Sequence, residues 1–167
     1  EDRQRDGKSD SVVICYSNRG ASENNKYIRK KLYGDSSERL QVGDILLIVQ
    51  NNYHLDRMNG EFVPVLKVGE EVSQTAPVYV QDGGQKVRKT ITLRFQHIET
   101  TDSKGNRRDC MVLLDLLFND ESSLSIDAQK ALYINFCMRH PELKQNSKPF
   151  HNALGKDEYF NCLRAKF

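Results

Sequence analysis

The stretch "KVRKTITLRFQHI", Lys86 to Ile98, constrains the fold of this chain more than any other, because its apolar residues alternate with polar ones. The apolar side chains share one face and the polar side chains the other: Val87, Ile91, Leu93 and Phe95 against Arg88, Thr90, Thr92, Arg94 and Gln96. Successive side chains of a β-strand point to opposite faces of its sheet. The alternation therefore predicts a strand with one apolar and one polar face.

Turn signals divide the surrounding residues into further short strands. Turns are predicted at Gly43-Asp44, at Asn59-Gly60 and at Asp82-Gly83-Gly84. The strands predicted around these turns are Ile45–Asn51, Glu61–Val68, Pro77–Gln81 and the run "CMVLLDLLF" that begins at Cys110. Pro64 suggests an edge or a bulge in the second of them. Strands so closely spaced predict a small β-barrel over residues 39–120.

The segment before the barrel changes from strand to helix. "SVVICY", Ser11 to Tyr16, is a β-branched run that predicts a buried strand. "SNRGASENNKYIRKKLYG" then predicts a helix with Gly34 as its C-terminal cap and with one stripe of side chains: Ala21, Asn25, Ile28 and Leu32. An amide on such a stripe needs hydrogen-bond partners. Asn25 is therefore predicted to be a structural polar residue that ties the helix to a neighbouring loop.

Helical spacing returns after the barrel. Ser125 is a suitable cap for a helix that ends near Arg139, with Ala128, Leu132 and Phe136 on one stripe. Asp157 is a suitable cap for a second helix, "EYFNCLRAKF". The order of elements therefore predicts an α+β fold: a partial α/β piece, an inserted barrel and C-terminal helices.

Composition and motifs exclude several classes of function. The longest apolar runs, Ile45–Val49 and Met111–Leu114, fall far short of the roughly 18 residues of a transmembrane helix. The four cysteines have no C-x-x-C pair, which predicts buried free thiols in a reducing compartment. The four histidines have no metal-ligand spacing, so no metal site is predicted. Neither a G-x-x-x-x-G-K-[ST] loop nor a G-x-G-x-x-G loop is present, and no nucleophile or acidic pair has converging partners. No catalytic residue is predicted.

Two stretches resemble one protein family. "VVICYSNRGASENNKYIRKKL" resembles the motif IV region of superfamily 1 helicases, in which a strand of the second RecA-like domain ends in a Ser/Thr-Asn pair and the next helix carries another Asn; Ser17, Asn18 and Asn25 match. "VGDILLIVQNNYHLDRMNGE" is similar to the segment that follows in RecD-type helicases. This family contains the alpha subunit of exodeoxyribonuclease V and its stand-alone ATP-dependent relatives. Later stretches, "CMVLLDLLFNDES" and "DEYFNCLRAKF", resemble a subgroup from Bacteroides-like bacteria, and Val63-Pro64 departs from the apolar residue and glycine usual in the family.

The resemblance implies a domain plan. The sequence is expected to be a fragment that runs from motif IV through an inserted barrel and is cut before motif V. Residues 1–10 are expected to form a disordered tail, 11–38 a RecA-like strand–helix piece, 39–120 an SH3-like β-barrel, and 121–167 a helical segment that returns to the RecA-like domain. The parent protein would be a cytoplasmic helicase of DNA repair or recombination that hydrolyses ATP with magnesium. The fragment itself would carry neither cofactor, and its partners would be single-stranded DNA, the remaining helicase domains and other nuclease–helicase subunits.

The residues expected to contact nucleic acid come from three places in the sequence: Asn18 and Arg19, then Asn52, Tyr53 and Arg57, and then Lys67, Arg88 and Arg94. Single-stranded nucleic acid is held by aromatic stacking and by basic and polar side chains. Tyr53 either stacks on a base or packs at the barrel rim, Arg19 is either a contact or a solvated turn residue, and the strand arginines either line a groove or confer solubility. A stand-alone β-barrel that binds a protein partner is the alternative function.

Overall fold

The computed structural model describes residues 13–102, 104–121 and 123–167, and for Asp82 the main chain alone. The described elements are α1 (Asn18–Tyr33), a 3₁₀ helix (Gly34–Glu38), β1 (Ile45–Ile48), β2 (Phe62–Asp82), β3 (Gln85–Thr101), β4 (Arg107–Leu113), α2 (Leu114–Leu117), α3 (Ile126–Arg139), α4 (Lys148–Leu154) and β5 (Ala165–Lys166). The fold is α+β, as predicted. The expected N-terminal tail, residues 1–10, lies outside the described residues.

Helix α1 has the predicted glycine C-cap and, in addition, a serine N-cap. The Ser17 hydroxyl accepts a hydrogen bond from the Gly20 amide at 3.1 Å, and Gly34 ends the helix with a φ of 57°. A positive φ is tolerated by glycine because it has no Cβ. The predicted apolar stripe is wrong, because Leu32 is 68% exposed whereas Arg29, one turn earlier, is buried.

The strand predicted before α1 is also wrong in its described part. Residues 13–16 form no strand, and Ile14 and Tyr16 are fully or nearly fully exposed. A strand is stabilised by pairing with a neighbour, and the described sheet contains no partner for this segment. Of residues 11–38, expected to form a RecA-like strand–helix piece, the described part contains α1 and the 3₁₀ helix and no strand.

The five described strands form one sheet in the order β4-β3-β2-β1-β5, with antiparallel neighbours throughout. Strand β2 is longer than predicted, since it joins the two predicted strands Glu61–Val68 and Pro77–Gln81 into one. It runs through Pro64, which lies opposite Ile45 of β1, while pairing with β3 begins only at Val65. Proline lacks an amide hydrogen, so this position before the β3 ladder accommodates it. The pairing of β2 with β3 shifts register between Val65 and Lys67 and between Val68 and Glu71.

The C-terminal segment connects the two edges of this sheet. Leu163 forms a parallel bridge with Val112 of β4, and its amide donates to the Met111 carbonyl at 2.6 Å. Two residues later, β5 pairs with β1. The helix predicted after Asp157 is therefore wrong. Asp157 caps a single turn, with its carboxylate accepting from the Phe160 amide at 2.8 Å, and the chain then extends because the exposed sheet edges offer it backbone partners.

The strand predicted from Cys110 is half right. Strand β4 ends at Leu113, and α2 follows immediately. An uninterrupted apolar run fits a buried strand and a buried helix equally well, so periodicity does not place the boundary. Asp115 in α2 accepts hydrogen bonds from the Arg94 amide and guanidinium at 2.6 and 2.9 Å, which anchors α2 to β3.

The buried side chains form two clusters on either side of β2 and β3. One lies under α3, which Ser125 caps as predicted: Ala76, Val78, Leu93, Phe95, Leu116 and Leu132. The other fills the closed end of the sheet: Leu46, Ile48, Val63, Val65, Ile98, Val112 and Leu163. Burial of this apolar area is the main stabilising contribution to such a fold. The two buried clusters hold the strands together, and the strands in turn position the loops at the edge of the sheet.

Candidate nucleic-acid interface

The loop after β1 is built by its own side-chain amides. The backbone of Asn52 exchanges two hydrogen bonds with Arg57, at 2.8 and 3.0 Å, so that residues 52–57 form a closed turn. The Asn52 side-chain oxygen accepts from the Leu55 amide at 3.0 Å inside this turn. Asp56 has a φ of 54°, a conformation that Asp tolerates better than most residues. The loop is therefore an ordered hairpin tip.

Asn51 links this tip to the arm that returns to β2. Its side-chain oxygen accepts from the Asn59 amide at 2.8 Å, and its nitrogen lies 3.3 Å from the Tyr53 hydroxyl. Tyr53 is 80% exposed despite this contact. The ring is thus held at one end while its faces remain open to solvent, as a base-stacking residue requires. The alternative of a packed rim residue is not supported by this exposure.

Asn52 has a structural role. Its side-chain nitrogen donates to the Asn161 carbonyl at 2.7 Å and lies 3.5 Å from the Cys162 carbonyl. Both of its amide hydrogens therefore face the C-terminal segment. Asn52 attaches the Tyr53 loop to the strand that closes the sheet, and it positions Tyr53 rather than presenting free donors of its own.

A polar cleft of about 580 Å³ lies between this loop and the C-terminal segment. Its lining comes from both sides: Gln50, Asn51, Tyr53, His54, Asn161 and Arg164. The Arg164 guanidinium donates to the Gln50 side-chain oxygen at 2.5 Å. Burial raises the pKa of the Cys162 thiol at the base of the cleft to about 12, so this cysteine is not a nucleophile at neutral pH. The cleft provides amides, one arginine, one histidine and an aromatic face, which are groups suited to binding.

Arg57, expected to contact nucleic acid, is buried instead. It is only 2% exposed, and its guanidinium lies 3.2 Å from Glu61 and 3.8 Å from Asp102. Its Nε has no hydrogen-bond partner among the described residues. A buried guanidinium between carboxylates is desolvated and cannot reach a strand on the surface. Arg57 therefore stabilises the base of the Tyr53 loop, and the expectation of an exposed contact is corrected.

The basic residues on the strands do not join Tyr53 in one groove. Arg94 is held by Asp115, and Lys67 lies opposite Glu99 in the β2–β3 ladder. Arg88 lies six residues from Arg94 along β3, about 20 Å at the usual rise of a strand. None of the three lines the polar cleft. The single groove expected from the sequence is therefore divided into separate surfaces.

Asn18 and Arg19 lie at the start of α1, away from the polar cleft. Arg19 is exposed and forms an ion pair with Glu23 at 3.0 Å. Asn18 lines a second cleft, of about 640 Å³, between α1, β1 and the C-terminus. Ion pairs and hydrogen bonds occupy the charged groups there: Lys26 contacts Asp120 at 2.6 Å and lowers the pKa of that carboxyl, while burial lowers the pKa of Lys166. Lys26, Arg29 and Lys30 in this second cleft each form an ion pair, whereas Arg164 has no ion-pair partner among the described residues.

Asn25 has the structural role predicted for it. Its side-chain nitrogen donates to the Phe167 carbonyl at 2.7 Å. Arg29, on the same side of α1, pairs with the buried carboxylate of Asp44, donates to the Arg39 carbonyl at 2.7 Å and stacks over the Phe167 ring at 3.8 Å. These two residues attach α1 to the sheet.

The sequence analysis did not identify Tyr79, Lys86 or Arg164 as candidate contact residues. Tyr79 is 64% exposed between two buried valines, and the alternation in "PVYVQ" is the signal that identifies its outward orientation. Lys86 lies on the same polar face of β3 as Arg88. The sequence pattern predicts a helix at Arg164, so no feature of the sequence indicates that Arg164 lies beside Gln50.

Neither the protein-family models nor the curated proteins compared with this chain contain a match to it. Among the described residues, no helix has the length and apolar character needed to span a bilayer. The same residues contain no group of three or more His, Cys, Asp or Glu side chains suited to a metal ion.

Proposed function

We propose that this chain is part of a RecD-like ATP-dependent DNA helicase, in which it contributes part of the second motor domain and an SH3-like barrel that guides single-stranded DNA. The observation that carries the proposal is the exposed ring of Tyr53, held by Asn51 at the mouth of the polar cleft. An aromatic face beside amides and an arginine has the chemistry that single-stranded nucleic acid requires.

Two features of the fold support the domain plan. The sheet closes through the C-terminal segment, as a small barrel does. The closing residues lie within 121–167, so the barrel includes part of the segment that the resemblance assigns to the motor. Helix α1 begins at the Ser17-Asn18 pair of the resemblance and is fixed to the barrel by Asn25 and Arg29. ATP and magnesium would be bound by other parts of the parent protein, in the cytoplasm.

A protein-binding module is the second candidate, and one observation favours it. Ile14, Tyr16, Tyr27 and Leu32 are exposed apolar side chains in or just before α1. Exposed apolar groups that cluster are typical of protein contacts. In the helicase proposal the same residues face the remaining motor domain, whereas in a stand-alone module they bind a separate protein.

Fluorescence anisotropy with a labelled oligothymidine strand tests the proposal. Stacking of one base is worth about 1–3 kcal/mol, so Tyr53→Ala should weaken binding at least about fivefold without changing the salt dependence. Arg164→Gln should weaken binding and flatten the plot of log affinity against log salt by about 0.7, the value for one lost phosphate contact. Tyr27→Ala removes an exposed tyrosine from α1, 62% accessible against 80% for Tyr53, and serves as the matched control. If Tyr53→Ala and Arg164→Gln both bind like the wild type, the cleft does not hold the strand.

A further inference from the structure

The end of the β2–β3 hairpin presents a second aromatic and basic surface. Tyr79 lies directly opposite Arg88, and Gln81 lies opposite Lys86, so these side chains share one face of the sheet. All four side chains are exposed. Directly opposed side chains on an antiparallel pair lie about 5 Å apart at Cβ. We name this set of Tyr79, Lys86 and Arg88 the hairpin platform.

The hairpin platform is supported from behind. Val78 and Val80, which flank Tyr79, are 1% and 7% exposed and point to the opposite face. They belong to the cluster that packs under α3. Because the valines fix the orientation of β2, the Tyr79 ring is held away from the core. The platform is therefore part of the rigid sheet.

Positive charge lies mainly in the outer part of this hairpin, since residues 62–101 as a whole carry five cations and four anions. Residues 72–95 contain four cations, Lys86, Arg88, Lys89 and Arg94, against one anion, Asp82, while the formal charge of the whole chain is only +2. Arg94 is held by Asp115, and Lys89 lies on the other face, opposite Val78. Among the described residues, neither Lys86 nor Arg88 has an ion-pair partner within 4.0 Å. The platform thus offers two available cations beside an aromatic ring.

This combination selects a partner by its chemistry. Cations attract phosphates on any nucleic acid, but an exposed tyrosine ring gains by stacking only where base faces are open. A duplex keeps its base faces stacked inside the helix, whereas a single strand exposes them. We propose that the hairpin platform is a second contact for single-stranded DNA, separate from the polar cleft at Tyr53. The inference rests on the proposed function and extends it to a longer path for the strand.

The two contacts are independent in structure. None of the platform residues lines the polar cleft, and most of the length of β2 separates Tyr79 from the loop that carries Tyr53. Substitutions at distant sites without shared partners have additive effects. A strand that contacts both surfaces should therefore lose affinity at each of them separately.

The test measures anisotropy with a labelled oligothymidine strand of about 30 nucleotides, well above the span of one small barrel. Tyr79→Ala should weaken binding at least about fivefold, and Tyr79→Phe, which keeps the ring, should retain wild-type affinity. In the double variant Lys86→Gln with Arg88→Gln, the slope of log affinity against log salt should become shallower by about 1.4, the value for two phosphate contacts. Lys144→Gln with Lys156→Gln is the charge-matched control, and the Tm of each variant is measured to exclude unfolding.

The outcomes separate this inference from the proposed function. If only Tyr53→Ala loses affinity, the platform is not a contact and the inference fails alone. If only Tyr79→Ala loses affinity, the platform stands and the cleft at Tyr53 fails. If Tyr79→Ala weakens binding of a blunt duplex of the same length as much as it weakens binding of the single strand, the assignment to single strands is wrong. If the wild type binds no single-stranded DNA, both the inference about the hairpin platform and the proposed function fail.

Discussion

Arg29→Met is expected to destabilise the protein strongly, because it removes one partner of a buried ion pair. The side chains of Arg29 and Asp44 are 8% and 5% exposed, and Arg29 also donates to the carbonyl groups of Ser37 and Arg39 at 3.1 and 2.7 Å. In Arg29→Met the Asp44 carboxylate keeps its hydrogen bond from the Gln41 amide, at 2.7 Å, and loses its countercharge. Removing one partner of a buried pair costs about 3–5 kcal/mol.

The assay is thermal unfolding followed by circular dichroism at neutral pH. For a chain of this length, 1 kcal/mol corresponds to about 2–4 °C in Tm, so a decrease of about 6–20 °C is expected. Adding Asp44→Asn to Arg29→Met should recover part of the loss, because the uncompensated buried charge is removed.

Lys30→Met is the matched control on the same helix. Lys30 pairs with Asp35 at 3.1 Å, but both side chains are largely exposed, and such pairs contribute little to stability. If Arg29→Met lowers Tm no more than Lys30→Met does, the Arg29–Asp44 pair does not attach α1 to the sheet and the reasoning fails.

Three further predictions concern acid stability, thiol reactivity and catalysis. Burial disfavours ionisation of Asp157, but the hydrogen bonds and charge of Arg139 outweigh it and hold the pKa of Asp157 below its usual value. The stability from this pair is thus present above the unfolded-state pKa of Asp157, near 4, and is lost as the pH falls through its lower folded-state pKa. Between about pH 5 and pH 3, the range of carboxyl titration, the Tm of Arg139→Met should therefore fall less than the Tm of the wild type. An equal fall would contradict this. Burial raises the pKa of Cys110 to about 11 and that of Cys162 to about 12, so both should react with a thiol reagent at neutral pH only after unfolding, more slowly than Cys15, and mass spectrometry of the labelled peptides checks the order. The isolated chain should hydrolyse no ATP, because it lacks a phosphate loop with its lysine, and DNA-stimulated release of phosphate by a clean preparation would refute this.

Local signals in the sequence predict the elements whose ends are determined by short-range chemistry. Ser125 caps α3 as predicted, and Ser17 caps α1 in the same way, because a serine hydroxyl satisfies amides only three residues away. The Asn59-Gly60 turn is also where it was predicted, with Gly60 at a φ of 87°. The alternation of β3 predicts its buried face correctly at Leu93 and Phe95.

Elements that depend on distant partners were not predictable in this way. The segment after Asp157 has a helical pattern, yet it extends because the edges of β1 and β4 leave backbone groups to pair. Arg29 and Arg57 look like surface residues in the sequence, yet both are buried. Arg29 pairs with Asp44, 15 positions away, and Arg57 lies between Glu61 and Asp102, the latter 45 positions away. Periodicity carries no information about such pairs, since it describes only neighbouring residues.

The candidate site also combines features that the local sequence signals with features that depend on distant parts of the chain. The residues around Tyr53 signal the turn that carries it, whereas the sequence alone leaves open whether its ring packs at the rim or faces solvent. The separation of Arg88 from Tyr53 depends on the great length of β2, and the predicted strands were too short to reveal it. Arg164 entered the site only because the sheet closes through the C-terminal segment.

Photocrosslinking tests the central claim most directly. When a single strand that carries iodouracil is irradiated, the carbon–iodine bond of that base breaks and the carbon bonds to the ring of an aromatic side chain stacked on it, with loss of hydrogen iodide. Mass spectrometry of the digest then identifies the attached residue. We predict that Tyr53 is a principal site of attachment and that its yield falls as unlabelled single strand is added, while the exposed Tyr27 on α1 stays unmodified. Attachment confined to Tyr27 and other residues outside the polar cleft, with Tyr53 unmodified, would contradict the proposal that this cleft guides single-stranded DNA.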